Sequence, residues 1–134
     1  MQVLLADDDP IFRNLAKCLL EEWGFTVLLA SDGAEAWSIL ERSDAPDLVI
    51  LDWMMPEMDG YEVCRKIRQT KATRLPYVLL ITGKRTREEI LNILVAGADD
   101  YILKPFEPLD LKVRLRTAIR VLELERQLES KTVS

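Results

Sequence analysis

Five short apolar runs, near residues 2–6, 25–30, 47–51, 77–81 and 101–103, recur along the chain, and each is followed by a stretch with helical spacing. Runs this short and this rich in Val, Leu and Ile fit strands buried on both faces. From Ile11 to Trp23, the residues Phe12, Leu15, Leu19 and Trp23 fall near helical spacing, with Pro10 suited to a first turn and Gly24 to a stop. Similar patterns predict helices near 34–43, 60–69 and 87–96, the last ending at Gly97. Five βα units in succession leave few arrangements open.

Parallel strands joined by right-handed crossovers give an α/β fold, a doubly wound five-stranded parallel sheet with helices on both faces. Five strands fit the flavodoxin-like order 2-1-3-4-5. The run Val3-Leu4-Leu5-Ala6 then delivers Asp7-Asp8-Asp9 to a strand end, and Leu48-Val49-Ile50-Leu51 delivers Asp52. Tyr77 to Ile81 ends in Thr82, and Tyr101-Ile102-Leu103 ends in Lys104-Pro105. In that order strands 1 and 3 are neighbours, so the acidic triplet and Asp52 meet where the winding reverses, with Thr82 and Lys104 on the next strands outward. Ligands of open parallel sheets bind beyond these carboxyl ends, so Asp52 is expected to stand exposed there.

A chain of 134 residues, half of it apolar, makes one domain with a proper core. Its net charge of -5 argues against a phosphate-backbone binder, so direct nucleic-acid contact is not expected. Histidine is absent, and any phosphohistidine must therefore come from outside. Cys18 and Cys64 are expected as small core fillers. With no basic start and no long apolar stretch, a cytoplasmic location without membrane insertion is expected.

The last helix is predicted from about Leu109 to about Glu129, roughly 30 Å at 1.5 Å per residue, longer than a covering helix needs. Leu111, Leu115, Ala118 and Leu122 form a stripe that can pack on the sheet, whereas Val121, Leu124 and Leu128 continue on a shifted face. Two heptads leave self-pairing and a frayed tail equally open.

Carboxylates converging at close range either take up protons or attract a hard divalent cation. Mg²⁺ fits, because it favours oxygen ligands and keeps room for waters and a phosphate oxygen. Asp9 is expected as a helix cap ahead of Ile11, leaving Asp7 and Asp8 for the metal. Lys104, the Thr82 hydroxyl and the Gly83 amide would hold phosphoryl oxygens, with Asp52 as the nucleophile that forms an acyl phosphate.

Ala6-Asp7-Asp8-Asp9-Pro10, Leu51-Asp52-Trp53-Met54-Met55-Pro56 with Asp59-Gly60, Ile81-Thr82-Gly83, and Gly97-Ala98-Asp99-Asp100-Tyr101 with Lys104-Pro105-Phe106 together resemble the receiver domain of bacterial two-component response regulators. The resemblance covers about 1–119, leaving 120–134 as a C-terminal helical extension and linker to an output domain outside this chain. It implies that Asp52 accepts a phosphoryl group from a partner histidine kinase or phosphotransfer protein. It further implies that Asp7, Asp8, Asp52 and the Met54 backbone carbonyl hold Mg²⁺, and that Lys104 pairs with the phosphate. Thr82 would move toward it and Tyr101 would rotate as an aromatic switch, with Lys104-Pro105 cis. The surface of the fourth helix, last strand and fifth helix would carry the output and a possible homodimer contact. Met54 and Lys84 would flank the path of attacking water, bulky Met54 slowing hydrolysis.

Two other readings remain. Asp7-Asp8-Asp9 contains an Asp-x-Asp as in aspartate-nucleophile phosphatases of the haloacid dehalogenase type, with Asp7 as nucleophile. That leaves Asp52 unused and puts Pro10-Ile11 where that family has a Thr. A receiver used only for docking is the other, although no member of the acid, hydroxyl and amine set is missing. Cognate kinase, output type and oligomeric state stay open.

Overall fold

The computed structural model describes residues 1–70, 75–83 and 85–132. Strands and helices alternate as β1 (Gln2–Ala6), α1 (Pro10–Glu22), β2 (Thr26–Ala30), α2 (Gly33–Leu40), β3 (Leu48–Asp52), α3 (Gly60–Gln69), β4 (Tyr77–Thr82), α4 (Arg87–Ala96), β5 (Asp100–Leu103) and α5 (Pro108–Thr132). All strand pairs are parallel, in the order β2-β1-β3-β4-β5. Both the sheet type and its strand order agree with the sequence reading.

Alternation along each strand divides the core in two. Leu4, Val49, Leu51, Val78 and Leu80 face the layer that includes Ala36 of α2, Val63 and Ile67 of α3 and Ile93 of α4. Val3, Leu5, Ile50, Leu79 and Ile81 face Ala16 and Leu20 of α1 and Leu111, Leu115, Ala118 and Leu122 of α5. β3 and β4 are buried at every position, as expected of central strands. The edge strands differ: β2 and β5 are only partly covered, because each has one neighbour and a helix over part of its face.

Local signals placed the helices well. Asp9 caps α1, its side chain accepting from the Ile11 amide at 3.0 Å, and Pro10 occupies the first turn. Asp32 and Asp59 cap α2 and α3 in the same way, and Thr86 with Glu89 forms a capping box on α4. Gly97 ends α4 with φ 136°, a conformation that favours glycine. α2 stops three residues short of the expected 43, its C-cap falling at Glu41.

The buried face of α1 differs from the sequence reading. Ala16 and Leu20 are buried and Phe12 and Trp23 pack partly against them, whereas Ile11 and Leu15 are exposed. Cys18 shares that outer face and is exposed, so it is not a core filler. Cys64 is buried on α3 as expected, and burial pushes its thiol up to about 12.

α5 has 25 residues, about 37 Å of helix. Its expected stripe is buried, while Leu124 and Leu128 are exposed. Arg126 Nη2 pairs with Asp47 Oδ2 at 2.9 Å, tying the helix beyond residue 119 to the start of β3. No described helix is long and apolar enough to cross a membrane.

Gly60 opens α3 directly beneath the end of β3. Its amide donates to the Trp53 carbonyl at 2.8 Å, and a Cβ there would stand 2.8 Å from the Asp52 carbonyl oxygen and 2.9 Å from Leu80 Cδ1. Backbone cannot yield as a side chain does. Gly60→Ala is therefore expected to cost about 1–3 kcal/mol in urea unfolding, and an unchanged midpoint would contradict this contact.

Candidate functional site

The sheet register sets the site. Ala6 pairs with Leu51 and Asp52 with Ile81, so the chain leaving β1 and the end of β3 lie side by side. Asp7 is held on three sides. Its amide donates to the Ala30 carbonyl at 3.1 Å, its Oδ1 accepts from the Asp9 amide at 2.9 Å, and its carbonyl accepts from Arg13 at 2.7 Å.

One carboxylate oxygen from each of Asp7, Asp8 and Asp52 lies within 4.8 Å of the others. Asp7 is buried and Asp8 is exposed. Asp52, expected to stand exposed, is only 9% accessible. Lys104 Nζ sits 3.3 Å from Asp7 Oδ2 and 3.7 Å from Asp52 Oδ1. It also lies 4.2 Å from the centroid of the Phe12 ring, whose face stabilises a cation.

Among the described residues, the Lys104 ammonium alone is paired with this cluster of three carboxylates and does not balance it. Burial and then the Asp7 charge push the Asp52 carboxyl up to about 6, against the opposing pull of Lys104. An all-oxygen donor set with surplus negative charge and one exposed member suits a hard, partly hydrated cation such as Mg²⁺.

Thr82 ends β4 with its side chain buried. Its carbonyl accepts from the Lys104 amide at 2.8 Å, which ties the amine-bearing loop to the hydroxyl-bearing strand. A Cβ on Gly83 would meet nothing within 4 Å, so the space beside its backbone is open. Tyr101 pairs with Leu80 in register and packs, half-buried, against the same core layer, so it shares a sheet face with Thr82 two residues further on. The Met54 side chain is exposed at the rim. The Lys104-Pro105 bond is cis. Lys84 lies outside the described residues.

Two contributors escaped the sequence reading. Phe12 enters the sequence reading only through its helical spacing, yet its ring packs against the core and also faces Lys104. Arg85 carried no signal at all: its Nε donates to Thr82 Oγ1 at 3.2 Å, and its guanidinium stacks 4.4 Å from the Trp53 ring centroid.

Known proteins agree with this arrangement. The family model described as response regulator receiver domain matches residues 3–116. Response regulator MprA of Mycobacterium ulcerans is 42% identical over 125 residues, covering 93% of this chain and 53% of that protein. The probable transcriptional regulator ycf27 of Porphyridium aerugineum is 40% identical over 119 residues, covering 89% of this chain and 48% of that protein. The chain thus spans about half the length of the curated relatives it matches. Among solved structures, the signal receiver domain of a putative Luxo repressor protein from Vibrio parahaemolyticus superposes with TM-score 0.87 at 27% identity, covering 96% of each chain. The receiver domain of sensor histidine kinase PA1611 from Pseudomonas aeruginosa PAO1, with a magnesium ion coordinated in its active site cleft, superposes with TM-score 0.78 at 30% identity, covering 88% of this chain and 96% of that one. Sequence, topology and the acids at the β1 and β3 ends converge, and the chain belongs to the response regulator receiver domain family.

Proposed function

We propose that this receiver domain accepts a phosphoryl group on Asp52 from the phosphohistidine of a partner kinase or phosphotransfer protein. One observation carries the reading: carboxylate oxygens of Asp7, Asp8 and Asp52 lie within 4.8 Å of one another, with the Lys104 ammonium against Asp7 and Asp52, at the strand ends where a parallel sheet binds its ligands. Asp7, Asp8, Asp52 and the Met54 backbone carbonyl would hold Mg²⁺. When bound, the ion neutralises charge on the acids and on incoming phosphoryl oxygens.

An Asp52 carboxylate oxygen attacks phosphorus; the P–O bond forms as the bond to the donor imidazole nitrogen breaks, and that nitrogen keeps the electron pair. Lys104 turns from Asp7 and Asp52 to a phosphoryl oxygen, the Gly83 amide donates to another, and Thr82 closes on the group. Vacating the Thr82 position leaves room for Tyr101 on the same sheet face. The α4, β5 and α5 surface then changes, which suits control of an output domain or a homodimer contact. Residues 1–119 act as the receiver, and 120–134 serve as the linker toward the output. The acidic chain itself touches neither nucleic acid nor membrane, and it works in the cytoplasm.

The test is incubation with acetyl phosphate and Mg²⁺, with the added group located by mass spectrometry. Labelling of Asp52, lost without metal and lost in Asp52→Asn, is expected. Label on Asp7, or repeated phosphate release independent of Asp52, would mean a phosphatase instead.

A further inference from the structure

Arg85 makes three contacts that together join the site to a helix. Its Nε donates to Thr82 Oγ1 at 3.2 Å, its Nη1 donates to Glu89 Oε2 at 3.1 Å, and its guanidinium lies over the buried Trp53 indole. Glu89 is itself part of the α4 cap. Its Oε1 accepts from the amide and the hydroxyl of Thr86, both at 3.1 Å, and its own amide donates to Thr86 Oγ1 at 3.1 Å. One guanidinium therefore touches the buried hydroxyl at the end of β4, the residue after Asp52 and the carboxylate that closes the first turn of α4.

Arg85 meets the site at Thr82, whose hydroxyl accepts from its Nε. We propose that Arg85 is a positioning residue that anchors Thr82 in its resting place and couples the movement of Thr82 to the N-terminus of α4. This rests on the reading of Asp52 as phosphoacceptor.

The geometry supplies the mechanism. A hydrogen bond of 3.2 Å is already near the long end of the N–H···O range, so a shift of Thr82 toward a phosphoryl group breaks it unless Arg85 follows. Arg85 can follow only by leaving the Glu89 carboxylate or the Trp53 ring. By the first route the α4 cap loses a partner as the site fills, which ties the place of Thr82 to the first turn of that helix. The planar fork of arginine makes the triple contact, whereas lysine has one nitrogen to share among the same partners.

Two consequences can be read out with beryllofluoride and Mg²⁺, a phosphoryl stand-in, titrated into the full chain and followed by amide NMR. Arg85→Ala removes the anchor, so beryllofluoride is expected to bind roughly fivefold more tightly, the weight of one charge-assisted hydrogen bond shared over two states. In the same variant the amide shifts of Glu88, Glu89 and Ile90 on saturation are expected to shrink, while those of Gly83 persist. Glu89→Gln keeps the capping box and loses the ion pair, so it should reduce the α4 shifts with a smaller gain in affinity. Thermal unfolding of each variant monitors the fold. Unchanged or weaker binding in Arg85→Ala, or full α4 shifts in both variants, would overturn the proposal. Failure of the wild-type chain to bind beryllofluoride, or equal binding by Asp52→Asn, would instead refute the phosphoacceptor reading and the role of Arg85 with it.

Discussion

Asp52→Asn is expected to make the metal-free protein more stable at pH 7, by on the order of 2 kcal/mol. The cause lies in the carboxyl that burial and Asp7 push up to about 6, from an ordinary value of 3.8. A carboxyl whose folded value lies above its unfolded one binds its proton more tightly in the folded state. Between about pH 4 and pH 6 the folded chain thus carries the extra proton, and stability falls as pH rises through that window. Above it the full penalty of a charged, buried Asp52 is present. Asparagine has the same shape and no charge, so it never incurs the penalty.

Urea unfolding in a chelator across pH 4 to 8 checks this. The two proteins should converge near pH 4, and Asp52→Asn should be ahead at pH 7. Saturating Mg²⁺ should narrow the gap or reverse it, because the wild-type chain binds the ion with one more carboxylate and gains more from it. Equal stability at every pH would mean that Asp52 is relieved by solvent, and that the site stores no charge repulsion for a metal or phosphoryl group to exploit.

That penalty was only partly legible in the sequence. The strand runs and turn residues located Asp7, Asp52, Thr82 and Lys104 at adjoining strand ends, since short apolar runs alternating with helical stretches in a βα repeat constrain topology tightly. Their solvent access was not legible, and Asp52 is nearly buried where it was expected to be exposed. α1 shows a second limit. Ile11, Phe12, Leu15, Ala16, Cys18, Leu19 and Leu20 surround most of the helix with apolar residues, so spacing alone could not say that Ile11, Leu15 and Cys18 face outward. Arg85 shows a third, because a long side chain on a loop follows no periodicity and its contact with Thr82 depends on the tertiary course of the chain.

Lys104→Met should move the same cluster in the opposite direction. Methionine keeps an apolar stem against Phe12 and removes the ammonium that stands 3.3 Å from the buried Asp7 carboxylate. Breaking a buried ion pair from one side costs about 3–5 kcal/mol, but Lys104 keeps a third of its side chain in water, so a loss of about 2 kcal/mol is expected without metal at pH 7. Lys104 is also the group that pulls the Asp52 carboxyl down, so without it that carboxyl rises further and acid relieves the strain sooner. The loss should therefore shrink toward pH 5. Mg²⁺ affinity should respond the other way, because the ammonium repels a divalent ion from the same carboxylates, and calorimetry is expected to find binding several-fold tighter in Lys104→Met. A merely structural lysine would lower stability and leave metal binding unchanged or weaker. Only a lysine that holds the place of a cation among Asp7, Asp8 and Asp52 makes the fold weaker and the metal tighter in one substitution.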